Sequence, residues 1–256
     1  MNRGMFGFPR RFVVSRTPEM FFPLLLPNLA YWYDAFSITG LAGGSPVDQW
    51  NDLSGNARHM TSTLTARPVY MPSAFNNLPC LSTDGSNDFM IANGMGLLNF
   101  TIVMALFVRN RTLDNAGILS LTPVSGNDWN NVNGLVVYVS HNDNSIDVLR
   151  SIGTNTLVLG GAAGSASHVP QVLALRLSSG TAALKVNGIA NATDTYSDLN
   201  AINFSRLVIG ARGTNNIATT PFGFVDFAEI AIYSTALSDS DLSNFESYLM
   251  NKWRIM

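Results

Sequence analysis

The stretch Phe100-Thr-Ile-Val-Met-Ala-Leu-Phe-Val108 decides the fold, because it is apolar on both of its alternating faces. A short apolar run without alternation is typical of a central strand that is covered on both sides. We therefore place residues 100–108 in the middle of a β-sheet.

Shorter apolar runs continue outward from this strand in both directions along the chain. At least ten of them are separated by Gly, Asn, Asp and Ser, and no βαβ pattern recurs. The pattern predicts an all-β fold, a two-sheet antiparallel β-sandwich over residues 29–256. Four alternating positions are expected to face its core: Leu173, Leu175, Leu184 and Val186.

One helix is expected at the C-terminus, near residues 239–250. Ser238 can cap its first turn, where Asp239 and Asp241 suit the helix dipole. The apolar residues that follow recur at helical spacing and predict a face that packs on the sandwich: Leu242, Phe245, Leu249 and Trp253.

Residues 1–28 differ from the rest, being basic, aromatic and interrupted by prolines. We expect an extended arm outside the sandwich core that docks onto partner subunits. Phenylalanines cannot favourably stay in water, and arginines suit acidic protein surfaces. The residues expected to bind the partner are Arg3, Phe6, Phe8, Arg10, Arg11, Phe12 and Arg16. Met20 to Pro27 loosely resembles a secretory signal, but its prolines disfavour that interpretation.

Composition narrows the class of partner. The net charge of −2 disfavours nucleic acid, and no apolar run approaches the ~20 residues of a membrane-spanning helix. The single cysteine, Cys80, excludes an internal disulfide, and its apolar neighbours predict a packed thiol.

Several motifs, in order along residues 29–256, resemble the laminin-G-like, concanavalin-A-like jelly-roll family of phage structural and bacterial surface proteins. They are Ala30-Tyr-Trp-Tyr-Asp-Ala35; Val47-Asp-Gln-Trp-Asn-Asp-Leu-Ser-Gly-Asn56 with His59; Arg67-Pro68; Leu78-Pro79; Asp84-Gly-Ser-Asn-Asp88; and Phe227-Ala-Glu-Ile-Ala-Ile-Tyr233 with Lys252-Trp253. The resemblance implies the sandwich fold. It does not fix the ligand, because the fold hosts lectins, hydrolases and inert spacers.

The family's hydrolases use a pair of carboxylates, which this chain lacks in a usable form. Asp226 and Glu229 are the one acid pair expected on a strand, and a separation of three residues puts them on opposite faces unless a bulge intervenes. His59, His141 and His168 show no metal-ligand spacing. We expect no enzymatic activity and no catalytic residue.

Two polar loops are the candidates for a glycan site. Trp129 and Asn130 lie in Gly126-Asn-Asp-Trp-Asn-Asn131, and His141 and Asp143 lie in the next loop. An exposed aromatic ring can stack on a sugar while polar neighbours bond its hydroxyls; both loops also fit ordinary hairpin tips. No cofactor and no metal site are expected. Calcium at the Asp-rich turns around Asp84 and Asp143 is disfavoured, because no EF-hand-like pattern is present.

Two functions remain open from the sequence. The first is a non-enzymatic phage virion protein on the particle exterior (a capsid decoration, head fibre or tail-associated subunit). Its arm would anchor a homo-oligomer, and its sandwich would attach to glycans or another host surface. The alternative is a carbohydrate-binding adhesin module of a bacterial surface or secreted protein, with an extracellular location.

Overall fold

The computed structural model of the chain describes residues 23–109, 114–140, 143–152, 155–162, 166, 168–197 and 200–256. The strands are β1 (Leu29–Asp34), β2 (Gln49–Trp50), β3 (Met60–Thr61), β4 (Val69–Phe75), β5 (Leu78–Ser82), β6 (Met90–Asn93), β7 (Gly96–Leu97), β8 (Phe100–Val108), β9 (Ala116–Thr122), β10 (Leu135–Val139), β11 (Ile146–Ile152), β12 (Asn155–Leu159), β13 (Gln171–Ser178), β14 (Thr181–Val186), β15 (Ile189–Thr195), β16 (Ile202–Asn203), β17 (Arg206–Ile209), β18 (Arg212–Thr214), β19 (Ile217–Thr219) and β20 (Val225–Tyr233). Two 3-10 turns (Pro23–Leu25 and Ala35–Ser37) and helix α1 (Asp239–Lys252) complete the described elements.

The described strands form two eight-stranded antiparallel sheets. The first has the order β15-β14-β13-β8-β20-β5-β4, with β1 also paired to β20; we call it the helix-side sheet. The second has the order β12-β11-β10-β9-β17-β6-β3-β2; we call it the hairpin-side sheet. The predicted two-sheet antiparallel sandwich is confirmed.

Strand β8 lies at the centre of the helix-side sheet, between β13 and β20, as its apolar sequence predicts. All its residues except Phe107 are buried. The register of β13 against β14 pairs Leu173 with Val186 and Leu175 with Leu184, so these four side chains share one face. The three leucines are fully buried and Val186 packs at the edge of the same core.

Helix α1 covers the outer face of the helix-side sheet, against β13 and β8. Ser238 caps it by accepting a hydrogen bond from the Asp241 amide at 3.1 Å, as predicted. Among the described residues, no helix has the length and apolarity needed to cross a membrane.

A small hairpin made of β18 and β19 lies on the outer face of the other sheet. Its Gly213 approaches β9 so closely that an added Cβ would lie 1.9 Å from the Thr122 hydroxyl oxygen, and only glycine fits. Asn215 and Asn216 form its turn with positive φ angles of 50° and 68°, which asparagine tolerates. The hairpin therefore has one fixed position on the sheet.

The arm predicted over residues 1–28 lies mostly outside the described residues, including all seven of its expected partner-binding side chains. Its last six residues are described and contact the sandwich. The Tyr233 hydroxyl donates to the Pro23 carbonyl at 2.9 Å, and the Ser234 amide donates to the Asn28 carbonyl at 2.9 Å.

Candidate functional site

The motif at residues 47–56, which carries part of the family resemblance, has a structural role. The Asp52 carboxylate accepts hydrogen bonds from the backbone amides of Trp32, Ser54 and Arg58 at 2.9 to 3.0 Å. The Asn56 amide donates to the carbonyl of Leu29 at 3.0 Å. These bonds hold the start of β1 in place, so Asp52 and Asn56 serve the fold.

Glu229 on β20 is the centre of a second internal network, under the end of α1. Its carboxylate accepts from the indole N–H groups of Trp32 and Trp253, each at 2.8 Å, and from the Lys252 ammonium at 2.6 Å. The same ammonium donates to Asp34 at 2.6 Å. We call Trp32, Asp34, Glu229, Lys252 and Trp253 the clasp, because they join β1, β20 and α1.

Burial and charge govern ionisation in the clasp. Burial raises the pKa of Glu229, and the nearby Lys252 ammonium only partly offsets this. Burial alone would lower the pKa of Lys252, but the Glu229 and Asp34 carboxylates raise it well above its usual range. The ammonium is thus held charged between two acids.

Asp226 and Glu229 lie on the same face of β20, and the expectation of opposite faces is wrong. A β-bulge between Phe227 and Glu229 adds one residue, so Asp226 pairs with Phe107 while Glu229 pairs with Ala105. Asp226 accepts from the Ser82 hydroxyl and from Arg109, both at 2.6 Å. Both acids are fully buried and occupied by internal ion pairs.

The predicted loop around Trp129 lines a cavity of about 320 Å³ on the outer face of the hairpin-side sheet, along the flank of the β18–β19 hairpin. The Trp129 ring is 40% exposed and Asn130 is exposed beside it. Its neighbour Asp128 lines the same cavity, and other lining residues come from distant segments: Asn115, Arg212, Thr219 and Pro221. We call this space the Trp129 cavity.

A buried ion pair sets the shape of the Trp129 cavity. The Arg212 guanidinium donates to Asp128 through Nε at 3.0 Å and Nη2 at 2.8 Å, a bidentate contact. Asp128 also accepts from the Gly213 amide at 2.8 Å, and its own amide donates to the Gly213 carbonyl at 2.9 Å. The loop and the hairpin are therefore fixed together, with the Trp129 ring at the surface.

Asp143, from the second candidate loop, is linked to the Trp129 loop by a chain of contacts. The Ser145 hydroxyl oxygen lies 2.7 Å from the Asp143 carboxylate and 2.6 Å from the Asp147 carboxylate, and its one proton is donated to one of them at a time. Asp147 faces Tyr138 across β10 and β11, and the Arg212 guanidinium lies 5.7 Å from the Tyr138 ring centre. Hydrogen bonds from Ser145 lower the pKa of Asp143.

The other predictions concern His141, Asp143 and a metal site. His141 lies outside the described residues. Asp143 is exposed but does not line the Trp129 cavity. Among the described residues, no three His, Cys, Asp or Glu side chains are grouped to hold a metal ion. Asp84 instead accepts from the amides of Ser86, Asn87 and Asp88; burial acts to raise its pKa, but these bonds lower it overall.

The sequence reasoning missed Arg212, Asn115 and Thr219, which lie far from Trp129 along the chain. The one available signal was the pair Asn215-Asn216 between two short runs, a hairpin pattern. It predicts a turn but not where the hairpin docks.

Comparisons with known proteins identify similar folds but no family for this chain. No family model and no curated protein sequence matches the chain. Among solved structures, it is similar to the binding domain of Paraclostridial Mosquitocidal Protein 1 (TM-score 0.63, 15% identity, 88% of this chain and 53% of that one). It is also similar to the ligand binding domain of botulinum neurotoxin serotype D, solved with N-acetylneuraminic acid (TM-score 0.62, 10% identity, 86% and 50%).

A third similar structure is a sialidase from Trypanosoma rangeli (TM-score 0.57, 12% identity, 90% of this chain and 34% of that one). The chain thus spans about half or less of the length of these three structures. At such identities the likeness establishes the fold alone, a two-sheet β-sandwich.

Proposed function

We propose that this chain is a non-enzymatic, carbohydrate-binding sandwich of the laminin-G-like, concanavalin-A-like kind, displayed on the exterior of a phage particle. In this proposal the Trp129 cavity binds the glycan, and residues 1–28 anchor a homo-oligomer to other virion subunits as a capsid decoration, head fibre or tail-associated subunit.

The observation that carries the glycan-binding part is the half-exposed Trp129 ring at the edge of a polar cavity. Sugars bind by stacking their C–H faces on an aromatic ring while polar groups bond their hydroxyls. The Thr219 hydroxyl and the Asn115 amide line the same cavity. The Asp128–Arg212 pair holds the site in shape before a ligand arrives, which reduces the ordering cost of binding.

The similar structures support the same class of ligand. One of them is a ligand binding domain solved with N-acetylneuraminic acid, and another is a sialidase. The first was solved with a sialic acid and the second with a difluoro derivative of one.

The absence of enzymatic activity is proposed from the state of the acids. Asp226 and Glu229 share a face, but neither has any exposed surface and each is neutralised by a cation. Most glycosidases use two carboxyl groups that flank the scissile bond in an accessible cleft, and these two acids cannot take that role.

The test of glycan binding is a glycan array probed with the wild-type protein and with Trp129→Ala. We expect the variant to lose binding and Trp129→Phe to keep part of it, because phenylalanine retains a stacking face. Val132→Ala is the matched control, since Val132 is an exposed apolar residue of the same loop that does not line the cavity. Equal binding by all three variants would contradict the assignment.

The virion part of the proposal rests on the composition of the arm. Four arginines and several phenylalanines cannot pack favourably on their own, and burying five phenylalanines against a partner contributes on the order of 10 kcal/mol before ordering costs. Arginine pairs and backbone hydrogen bonds to the partner are needed to offset that ordering.

The arm is tested by deleting residues 1–22, which keeps the Pro23 and Asn28 contacts with the sandwich. We expect an unchanged melting temperature and unchanged glycan binding, but loss of the oligomer in light scattering and of copurifying subunits. Normal assembly of the shortened chain would overturn the anchoring role while leaving the glycan site untouched.

The adhesin module of a bacterial surface or secreted protein is the second candidate. It is favoured by the likeness to binding domains of a mosquitocidal protein and a neurotoxin. The same deletion separates the two candidates, because an adhesin module needs no virion subunit as a partner.

A further inference from the structure

A second and larger cavity lies at the tip of the β18–β19 hairpin, on the same outer face as the Trp129 cavity. Its volume is about 620 Å³, within the range of sites for small ligands. Its lining includes His59, Phe89, Asn93, Arg206, Asn216 and Ile217. We call it the Arg206 cavity.

Arg206 gives this cavity a positive charge that no described carboxylate neutralises. It starts β17, pairs with Asn93 of β6 in the sheet, and donates a hydrogen bond to the Asn93 side-chain oxygen. That oxygen orients the guanidinium but carries no charge. Four other arginines do pair with aspartates: Arg67 with Asp48, Arg109 with Asp226, Arg176 with Asp239, and Arg212 with Asp128.

A hydrogen-bond donor faces the cavity from its other side. The Nδ1 atom of His59 accepts the Asp52 amide at 3.0 Å, so in the neutral ring Nε2 carries the proton. The His59 side chain is exposed and lines the cavity, which leaves this N–H for a ligand. Asn216 also lines the cavity, and its buried side-chain oxygen accepts no hydrogen bond from the described residues.

Apolar side chains supply the remaining surface. Ile217 is 61% exposed at the hairpin tip, and Ile91 and Phe89 lie in the lining. A ligand for this cavity thus needs an anionic group, several hydroxyls and an apolar face. Sugars that carry a carboxylate combine these features, and the fork of a guanidinium matches a carboxylate in two parallel hydrogen bonds.

We propose that the Arg206 cavity is a binding site for an acidic sugar, whose carboxylate pairs with Arg206 and whose ring lies against Ile217. The site goes beyond the function proposed above, which rests on the Trp129 cavity and does not require an acidic ligand.

The test uses the full chain and three matched pairs of probes, followed in ¹H–¹⁵N spectra. They are galacturonate with galactose, glucuronate with glucose, and N-acetylneuraminate with its methyl ester. We expect at least one acid to bind about tenfold or more tightly than its neutral partner, the effect of a charged hydrogen bond of about 1.4 kcal/mol. Shifted resonances should centre on the hairpin tip.

Two variants locate the effect. Arg206→Gln should remove the preference for the acid, and Ile217→Asp should repel the acid from an exposed position that the fold does not depend on. The matched control is Arg254→Gln, which makes the same charge change at an exposed C-terminal residue.

Two results would overturn the proposal. One is that no acid binds more tightly than its neutral partner. The other is that Arg206→Gln and Ile217→Asp, with wild-type melting temperatures, both retain the preference. Either result leaves glycan binding at Trp129 to be judged by its own variants.

Discussion

The two outer faces of the sandwich differ in how completely their polar groups are covered. On the helix-side sheet, α1 covers the surface, and the clasp buries Glu229 with its cation and both indole donors in place. On the hairpin-side sheet, a short hairpin covers only the centre and leaves two cavities, where Trp129 and Arg206 stay accessible. Polar groups that satisfy one another serve the fold, and polar groups left facing a cavity can serve a ligand.

The largest expected effect comes from breaking the clasp. Lys252→Met would leave the Asp34 and Glu229 carboxylates without their cation. We expect the free energy of unfolding, measured by urea titration, to fall by about 3–5 kcal/mol. Asp48→Asn, which removes an ion pair whose acid is 74% exposed, is the control and should cost about 1 kcal/mol or less. Similar losses of stability in both variants would contradict the expected difference between the buried and the exposed ion pair.

A smaller loss is expected from the ion pair that shapes the Trp129 cavity. Asp128→Asn keeps the size of the side chain but weakens the bonds to Arg212 and Gly213, at a cost of about 2 kcal/mol. Glycan binding should fall in the same variant, because the hairpin is no longer held against the loop. Unchanged binding at reduced stability would show that the cavity does not depend on this pair.

The pH dependence of stability gives a third test, at Asp88 beside the hairpin-side sheet. Burial, followed by the Asp84 charge, raises its pKa to about 6. An acid with a raised pKa in the folded state favours folding when protonated, so this contribution is present below about pH 4 and is lost as the pH rises through about 6.

Asp88→Asn should therefore raise the melting temperature at pH 7 and leave it nearly unchanged at pH 4, as measured by calorimetry across that range. Asp84→Asn is the opposite control. The pKa of Asp84 is lowered by its backbone bonds, so its removal should destabilise the protein at pH 7. Equal behaviour of the two variants would contradict these ionisation states.

The smallest effect on stability is expected at Trp129. Trp129 is 40% exposed at a loop surface and only partly packed, so Trp129→Ala should lower the free energy of unfolding by about 1 kcal/mol, less than Asp128→Asn. A larger loss would mean that the ring supports the loop and is not free to bind a ligand.

The sequence predicts elements that depend on neighbouring residues, and it misses features that depend on contacts between distant segments. The apolar run at 100–108 and the capped helix after Ser238 are local patterns, and both elements form where expected. The bulge at Ala228 was missed because it depends on the register between β20 and β8.

The candidate site shows the same limit. Trp129 stands out among polar neighbours, but Arg212 and Asn115 join it only through the docking of a distant hairpin. Arg206 carries no sequence motif at all. It stands out only in the structure, where no described carboxylate pairs with it, whereas Arg212 pairs with Asp128.

The hairpin between Arg212 and Thr219 has a consequence for how such a protein diversifies. It is a separate two-stranded unit, held at Gly213, and its turn is hydrogen-bonded to the backbone of Pro123 and Gly126. Thr214 borders one cavity, while Asn216 and Ile217 border the other. An insertion between Thr214 and Ile217 would thus change the lining of both cavities together. Residues 214–217 are accordingly the place to graft a randomised library that varies both cavities at once.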